Sequence, residues 1–511
     1  MSRLVDPLLS LGPRLLGGAV VAAVAVVMAT VAPQAGAPLT GKAEFARGTE
    51  LFDDAKYREA VHALVRAREY DPDLKAPATR LVVRSLLRVG DFGRAEQEAS
   101  SLVDATVGAE DLSLHAETLW STGHFEEANA RYTTALTLDA AHPAALHGIA
   151  RVLDARGKTA DALDGTLHCD ERDPEVAEYH HTRAYLLERL GNYDVAADEL
   201  DRYLRYLPEK GFKDQVKLAK ARMKFLRHFG DRTPMAMPDG TRSQVHVIPF
   251  REDREKLFVK GRINGRLNVD LVLDTGAEMT VLSEDVAQRA QIYSVAETLS
   301  AGVGDVGLRR LKLARINKLE IGTLKIDHVP TMIKDPPLKK FPTADIDAFS
   351  PLALGLSMRV DYDKKQVIVA RTLPKAEGTA TMEAPLWMHR LATVRGRLNG
   401  DRPAAFVIDT GGQAISISRT AAIGLEQLGR FRRIPLKVYG SSGWDRDAFL
   451  LPGVDLEVDD VRMAQTSLVV LNLRAPSVLL GYELGGILGH KFLSKYRVSL
   501  DIDEGLMRLD D

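Results

Sequence analysis

The tripeptide Asp-Thr-Gly occurs twice in this 511-residue chain, as Asp274-Thr275-Gly276 and Asp409-Thr410-Gly411, an offset of 135 residues. The same offset relates Gly261-Arg262-Ile263-Asn264-Gly265 to Gly396-Arg397-Leu398-Asn399-Gly400. Two landmarks at one spacing mark an internal duplication, so the second half of the chain must fold as two like units. Val, Ile and Leu alternate with polar residues there, between Gly-bearing turns, which predicts strands. Each Asn-Gly predicts the two-residue turn of a β-hairpin. The second strand of that hairpin, residues 269–273 or 404–408, runs into the tripeptide, and another apolar run follows at 279–282 and 414–418. One Asp-Thr-Gly alone is a weak signal, because Asp and Gly are ordinary turn residues. Two copies in matched strands are a strong one.

Apolar strand, Asp-Thr-Gly, apolar strand resembles the retropepsin-like aspartic protease family, over about residues 245–511. The resemblance implies two all-β lobes that each supply one aspartate, with Asp274 and Asp409 as the catalytic dyad and Thr275, Gly276, Thr410 and Gly411 as its supporting turns. Facing carboxylates cannot both ionise, so they share a proton, and one then serves as base toward a water and the other as acid toward a carbonyl. No metal or cofactor enters such chemistry. Family lobes also carry a flap that closes over bound peptide. Candidates are Gly302 and Gly304 in lobe one and Gly440, Gly443 and Trp444 in lobe two, although Gly-rich stretches also read as plain hairpin turns. In lobe two, Gly486-Ile487-Leu488-Gly489 matches the apolar-apolar-Gly that packs behind the aspartate loop in the family. Lobe one departs: aligning Arg359-Val360-Asp361 with Arg497-Val498-Ser499 puts Phe349-Ser350-Pro351 where Ile487-Leu488-Gly489 stands. Gly412 is a second departure, since Ala or Ser is usual after the motif and lobe one has Ala277.

The first half has a different texture, with Leu and Ala at helical spacing and turns marked by Gly or Asp-Pro. Five turn segments share a pattern whose second positions are Tyr57, Phe92, Phe125, Thr159 and Tyr193, separated by 35, 33, 34 and 34 residues. These segments resemble tetratricopeptide repeats. Each repeat is a helical hairpin that cannot bury its apolar face alone, so neighbours stack into a superhelix. The turn aromatics are expected to pack between paired helices rather than touch a ligand. The resemblance implies a protein or peptide partner on the concave face.

At the N-terminus, Arg3 and Arg14 precede an uncharged run from Leu15 to Ala32 and then Ala35-Gly36-Ala37. This predicts a signal peptide or membrane anchor and an extracytoplasmic location, with membrane contact only through this segment. A formal charge of -2 gives no reason to expect nucleic acid as a partner. Cys169, the only cysteine, excludes an intramolecular disulfide and reads as a buried structural thiol. The thirteen histidines show no metal-hydrolase spacing.

The expected architecture is therefore multidomain: an all-α tetratricopeptide superhelix followed by two all-β retropepsin-like lobes that form a single-chain pseudo-dimer. Expected boundaries are 1–40 for the export segment, 41–230 for the repeats, 231–244 for a linker, 245–371 for lobe one, 372–384 for an interlobe linker and 385–511 for lobe two. The expected function is aspartic-type endopeptidase, with a protein or peptide substrate. The alternatives are a non-catalytic scaffold that keeps the fold, and lobes that pair between two chains.

Overall fold

The computed structural model describes residues 40–104, 107–238, 240–304, 307–334, 347–376, 378–426 and 433–511. The expected export segment lies outside them, apart from Thr40. Among the described residues no helix is long and apolar enough to cross a membrane.

Eleven helices come first among the described residues: α1 Gly41–Asp53, α2 Tyr57–Tyr70, α3 Lys75–Arg88, α4 Phe92–Val103, α5 Ala109–Ser121, α6 Phe125–Leu138, α7 Pro143–Ala155, α8 Thr159–Arg172, α9 Ala177–Arg189, α10 Tyr193–Tyr206 and α11 Lys213–Arg227. They make five hairpins and one closing helix. Tyr57, Phe92, Phe125, Thr159 and Tyr193 each open the second helix of a hairpin. Gly90, Gly123, Gly157 and Gly191 hold φ of 70°, 82°, 81° and 81° at the turns, the left-handed region that glycine enters without a Cβ penalty. The first hairpin uses Ala55 in that region, at φ 57°. Cys169 is buried in α8, as expected.

Each lobe contains the expected hairpin: Lys256–Ile263 with Leu267–Leu273, and Leu391–Leu398 with Arg402–Ile408. The turns differ from expectation. Ile263 pairs with Leu267 and Leu398 with Arg402, so three residues lie between the strands rather than two. The Asn of each turn explains the extra residue. Asn264 Oδ1 accepts from Asn317 and Lys318 N–H, and Asn399 Oδ1 accepts from Asp455 N–H, so each Asn is turned outward to fasten a neighbouring strand.

The lobes join within the chain through six antiparallel strands. Lobe one gives His246–Asp253, Gln366–Ala370 and Ser357–Asp361, and lobe two gives Arg497–Asp501, Leu506–Asp510 and Met382–Pro385. The seam is Met358↔Leu500, Arg359↔Ser499 and Val360↔Val498. Met382–Pro385 belongs to this sheet, so the expected 372–384 linker ends as a strand. The 231–244 segment also docks, bridging Ala236 to Asp327.

Helices and lobes share apolar cores. Trp120, Phe125 and Tyr132 cluster with Trp387, Tyr482 and Leu484 of lobe two. Leu187, Tyr193, Phe225 and Phe229 cluster with Met279, Ala296 and Leu313 of lobe one. Phe125 packs against Trp120 of its paired helix at 4.9 Å, as expected for a turn aromatic, and also meets Trp387 at 5.2 Å and Tyr482 at 5.3 Å, because its turn is pressed against lobe two.

Candidate active site

Both Asp-Thr-Gly tripeptides leave an apolar strand whose last residues are buried, Leu273 and Ile408 at 0% exposure. A short strand lies parallel beside each one, Ala348–Phe349 in lobe one and Gly486–Leu488 in lobe two. Asp274 N–H donates to Phe349 O and Asp409 N–H to Leu488 O, both at 3.0 Å. Phe349 therefore corresponds to Leu488 and Ser350 to Gly489. The ungapped alignment was one residue out of register here. Its error lay in the anchor: Asp361 pairs with Gln366 as Asp501 pairs with Leu506, so Arg359 corresponds to Ser499 rather than Arg497, and the connection through the 3-10 turn Leu352–Leu354 is one residue shorter than that through the helix His490–Leu493. Ser350 is fully buried at its position, so the departure from Gly is accommodated.

The threonines tie the loops crosswise. Thr275 Oγ1 donates to Ile408 O at 2.6 Å and accepts Thr410 N–H at 3.0 Å. Thr410 Oγ1 donates to Leu273 O at 2.7 Å and accepts Thr275 N–H at 3.1 Å. Four hydrogen bonds cross the lobe boundary at residues only 1% exposed. They fix the two aspartates against each other. The glycines permit the approach: a Cβ at Gly276 would stand 2.8 Å from Asp409 Cγ, and one at Gly411 would stand 2.6 Å from Asp274 Cγ.

The carboxyls are half-buried and share a hydrogen bond. Burial, then the like charge of Asp409 and the hydrogen bond they share, pushes Asp274 up to about 8. Burial also raises Asp409, against the bond from Asp274 and N–H groups of Gly412 and Gly411, both 2.9 Å from Oδ1. Asp274 Oδ1 receives one such N–H, from Gly276 at 2.9 Å. The extra donor favours charge on Asp409 and the proton on Asp274. Gly412, the second sequence departure, supplies that donor, and a Cβ there would lie 2.7 Å from Asp409 Oδ2.

The flap candidates also come together. Ser442 N–H donates to Val303 O at 2.8 Å, and Arg309 Nη1 donates to Ser441 O at 3.0 Å. A Cβ at Gly302 or Gly304 would strike Ser441 or Ser442, and one at Gly440 would come 2.4 Å from Val303 O. Two hairpin tips thus meet where only glycine fits. Gly443 holds φ of 96° in the lobe-two tip. Trp444 packs edge-on to Tyr439, 5.2 Å between ring centres, and is half-buried.

Family models match three stretches: aspartyl protease of the gag-polyprotein type over residues 259–342, aspartyl protease over 394–492, and tetratricopeptide repeat over 113–167. The chain joins tetratricopeptide repeats to two aspartyl protease domains. Among solved structures, an aspartic proteinase from Irpex lacteus is 12% identical, covering 52% of this chain and 97% of its own, at a TM-score of 0.34. A thermophilic tetratricopeptide protein from Thermus thermophilus is 17% identical, covering 37% of this chain and 98% of its own, at 0.32. Comparison with curated proteins returns no match.

Two groups beside the paired aspartates escaped the sequence reading. Glu278, two residues past Gly276, accepts from Arg390 Nη2 at 2.7 Å and Nε at 2.9 Å, a fork across the lobes. An acidic residue soon after the first tripeptide was visible in sequence, but its partner 112 residues away was not. Lys334 ends the strand that lies parallel to Thr280–Ser283. Burial, then Arg309, brings its ammonium down to about 8, while Asp274 opposes the shift.

Proposed function

We propose that this protein is an aspartic-type endopeptidase of the retropepsin-like kind, in which Asp274 and Asp409 activate a water against a peptide carbonyl. The observation that carries the reading is the pair of half-buried, facing carboxyls held by crossed bonds of buried threonines. Ionised Asp409 takes a proton from the water while Asp274 gives its proton to the carbonyl oxygen. The resulting gem-diol collapses, breaking the C–N bond, as a proton passes to the leaving amine. The helical array recruits or orients a protein substrate. Residues 1–40 direct the protein to an extracytoplasmic site, a reading supported by Arg3, Arg14 and the uncharged run alone.

The test is digestion of a denatured protein mixture from pH 3 to 8 by the purified chain, beside Asp274→Asn and Asp409→Asn. Cleavage lost in both variants is the expected result. A folded monomer that cleaves nothing at any pH would overturn the reading in favour of a scaffold.

A further inference from the structure

The lobes are related by a pseudo-two-fold axis, yet the two ends of the cleft that flank the dyad differ. Two residues past the Gly of each tripeptide stand Glu278 and Gln413. Gln413 is exposed, and its Nε2 donates to Arg254 O at 2.7 Å. Glu278 is clasped by Arg390, and its neighbour Met279, 9% exposed, packs with Leu187, Tyr193 and Phe225 of α9, α10 and α11. The helical array therefore covers one end of the cleft.

Glu278 and Met279 open on a cavity of about 2000 Å³. Lobe one lines it through Gly304, Leu308 and Met332, lobe two through Arg390 and Leu479, and the helices, mostly the first of each hairpin, supply the rest. That volume exceeds the roughly 300–1,000 Å³ of a small-molecule pocket. Most of its arginines are paired with acids: Arg151 bonds Glu117 at 2.5 Å, Arg189 bonds Asp154 at 2.7 Å, and Arg222 bonds Glu188. Such a wall offers no net field to a polyanion. It presents tyrosine and apolar surface together with polar groups suited to a peptide backbone.

We infer that this chamber receives the polypeptide on one side of the scissile bond, so that the enzyme acts on chains extended well past the cut on that side. The inference rests on the endopeptidase reading. A chain leaving the dyad past Glu278 meets the concave face, whereas one leaving past Gln413 meets solvent.

The test uses the full chain and a peptide containing one cleavage site taken from the protein digest, lengthened by about eight native residues, roughly 27 Å of extended chain, at its N-terminus, its C-terminus or both. Lengthening one end is expected to raise kcat/KM about tenfold, mainly through KM, and lengthening the other end to change it less than about twofold. Thr182→Trp on α9 and Gln215→Trp on α11, both lining the chamber, should each shrink the one-sided gain. Equal gains at both ends, no gain at either, or a gain that survives in both folded tryptophan variants would overturn the inference while leaving the endopeptidase reading intact. Failure to cleave any peptide would overturn both.

Discussion

On the endopeptidase reading, the surroundings of Asp274 and Asp409 should give activity near neutral pH. The working state holds one proton, and Asp274 keeps it until about pH 8. At pH 7 about nine-tenths of the molecules retain that proton, and above pH 8 the rate should fall about tenfold per pH unit. The assay is kcat on a fluorogenic peptide from pH 4 to 10 at constant ionic strength. Lys334→Met supplies the second arm: that ammonium opposes the rise at Asp274, so its loss should move the alkaline limb upward. Stability carries the same signature. A carboxyl raised in the fold contributes stability that is fully present below its unfolded value near 3.8 and lost as pH rises through about 8. Asp274→Asn should therefore gain on the parent protein in urea unfolding as pH climbs from 4 to 8. Activity that vanishes by pH 6, or a stability difference that stays flat across this range, would refute the reasoning.

Thr275→Val removes one donor and one acceptor across the lobe boundary and leaves a buried C=O and N–H unpaired, which should cost about 2–4 kcal/mol in urea unfolding. Trp387→Ala strips an indole, 4% exposed, from the core shared by helices and lobe two, together with its bond to Glu126. It should cost about 3–5 kcal/mol, with helical and sheet circular-dichroism signals lost in one transition. Gly440→Ala drives a Cβ toward Val303 O and should lower kcat/KM about tenfold or more with little change in melting temperature. Deleting residues 41–229 should yield insoluble lobes, because Met279, Leu313, Trp387 and Tyr482 would lose their cover; light scattering of the refolded fragment checks it.

The architecture was legible because both halves repeat themselves. A 34-residue period and a 135-residue offset are covalent facts that survive any error in local assignment. The pairing of Asp274 with Asp409 was legible for the same reason. What escaped were relations set by three-dimensional contact. The alignment behind the aspartate loop slipped because Arg359-Val360 looks like Arg497-Val498 although the hairpins make Ser499 the counterpart of Arg359, and because the turn before them differs in length between lobes. The hairpin turns were misjudged because Asn264 and Asn399 bond to strands more than 50 residues away. Phe125 is a repeat residue packed on Trp120, but its further partners Trp387 and Tyr482 lie in another domain.

The seam between Ser357–Asp361 and Arg497–Asp501 binds two halves that are encoded separately. In a symmetric dimer of one short chain, every substitution appears on both sides of the catalytic cleft at once, so a change useful on one side must be tolerable on the other. Duplication within a single gene removes that coupling. Ala277 can face Gly412, and Ser350 can face Gly489, each altered without its counterpart. One end of the cleft is thereby free to acquire a helical neighbour while the other keeps its access to solvent.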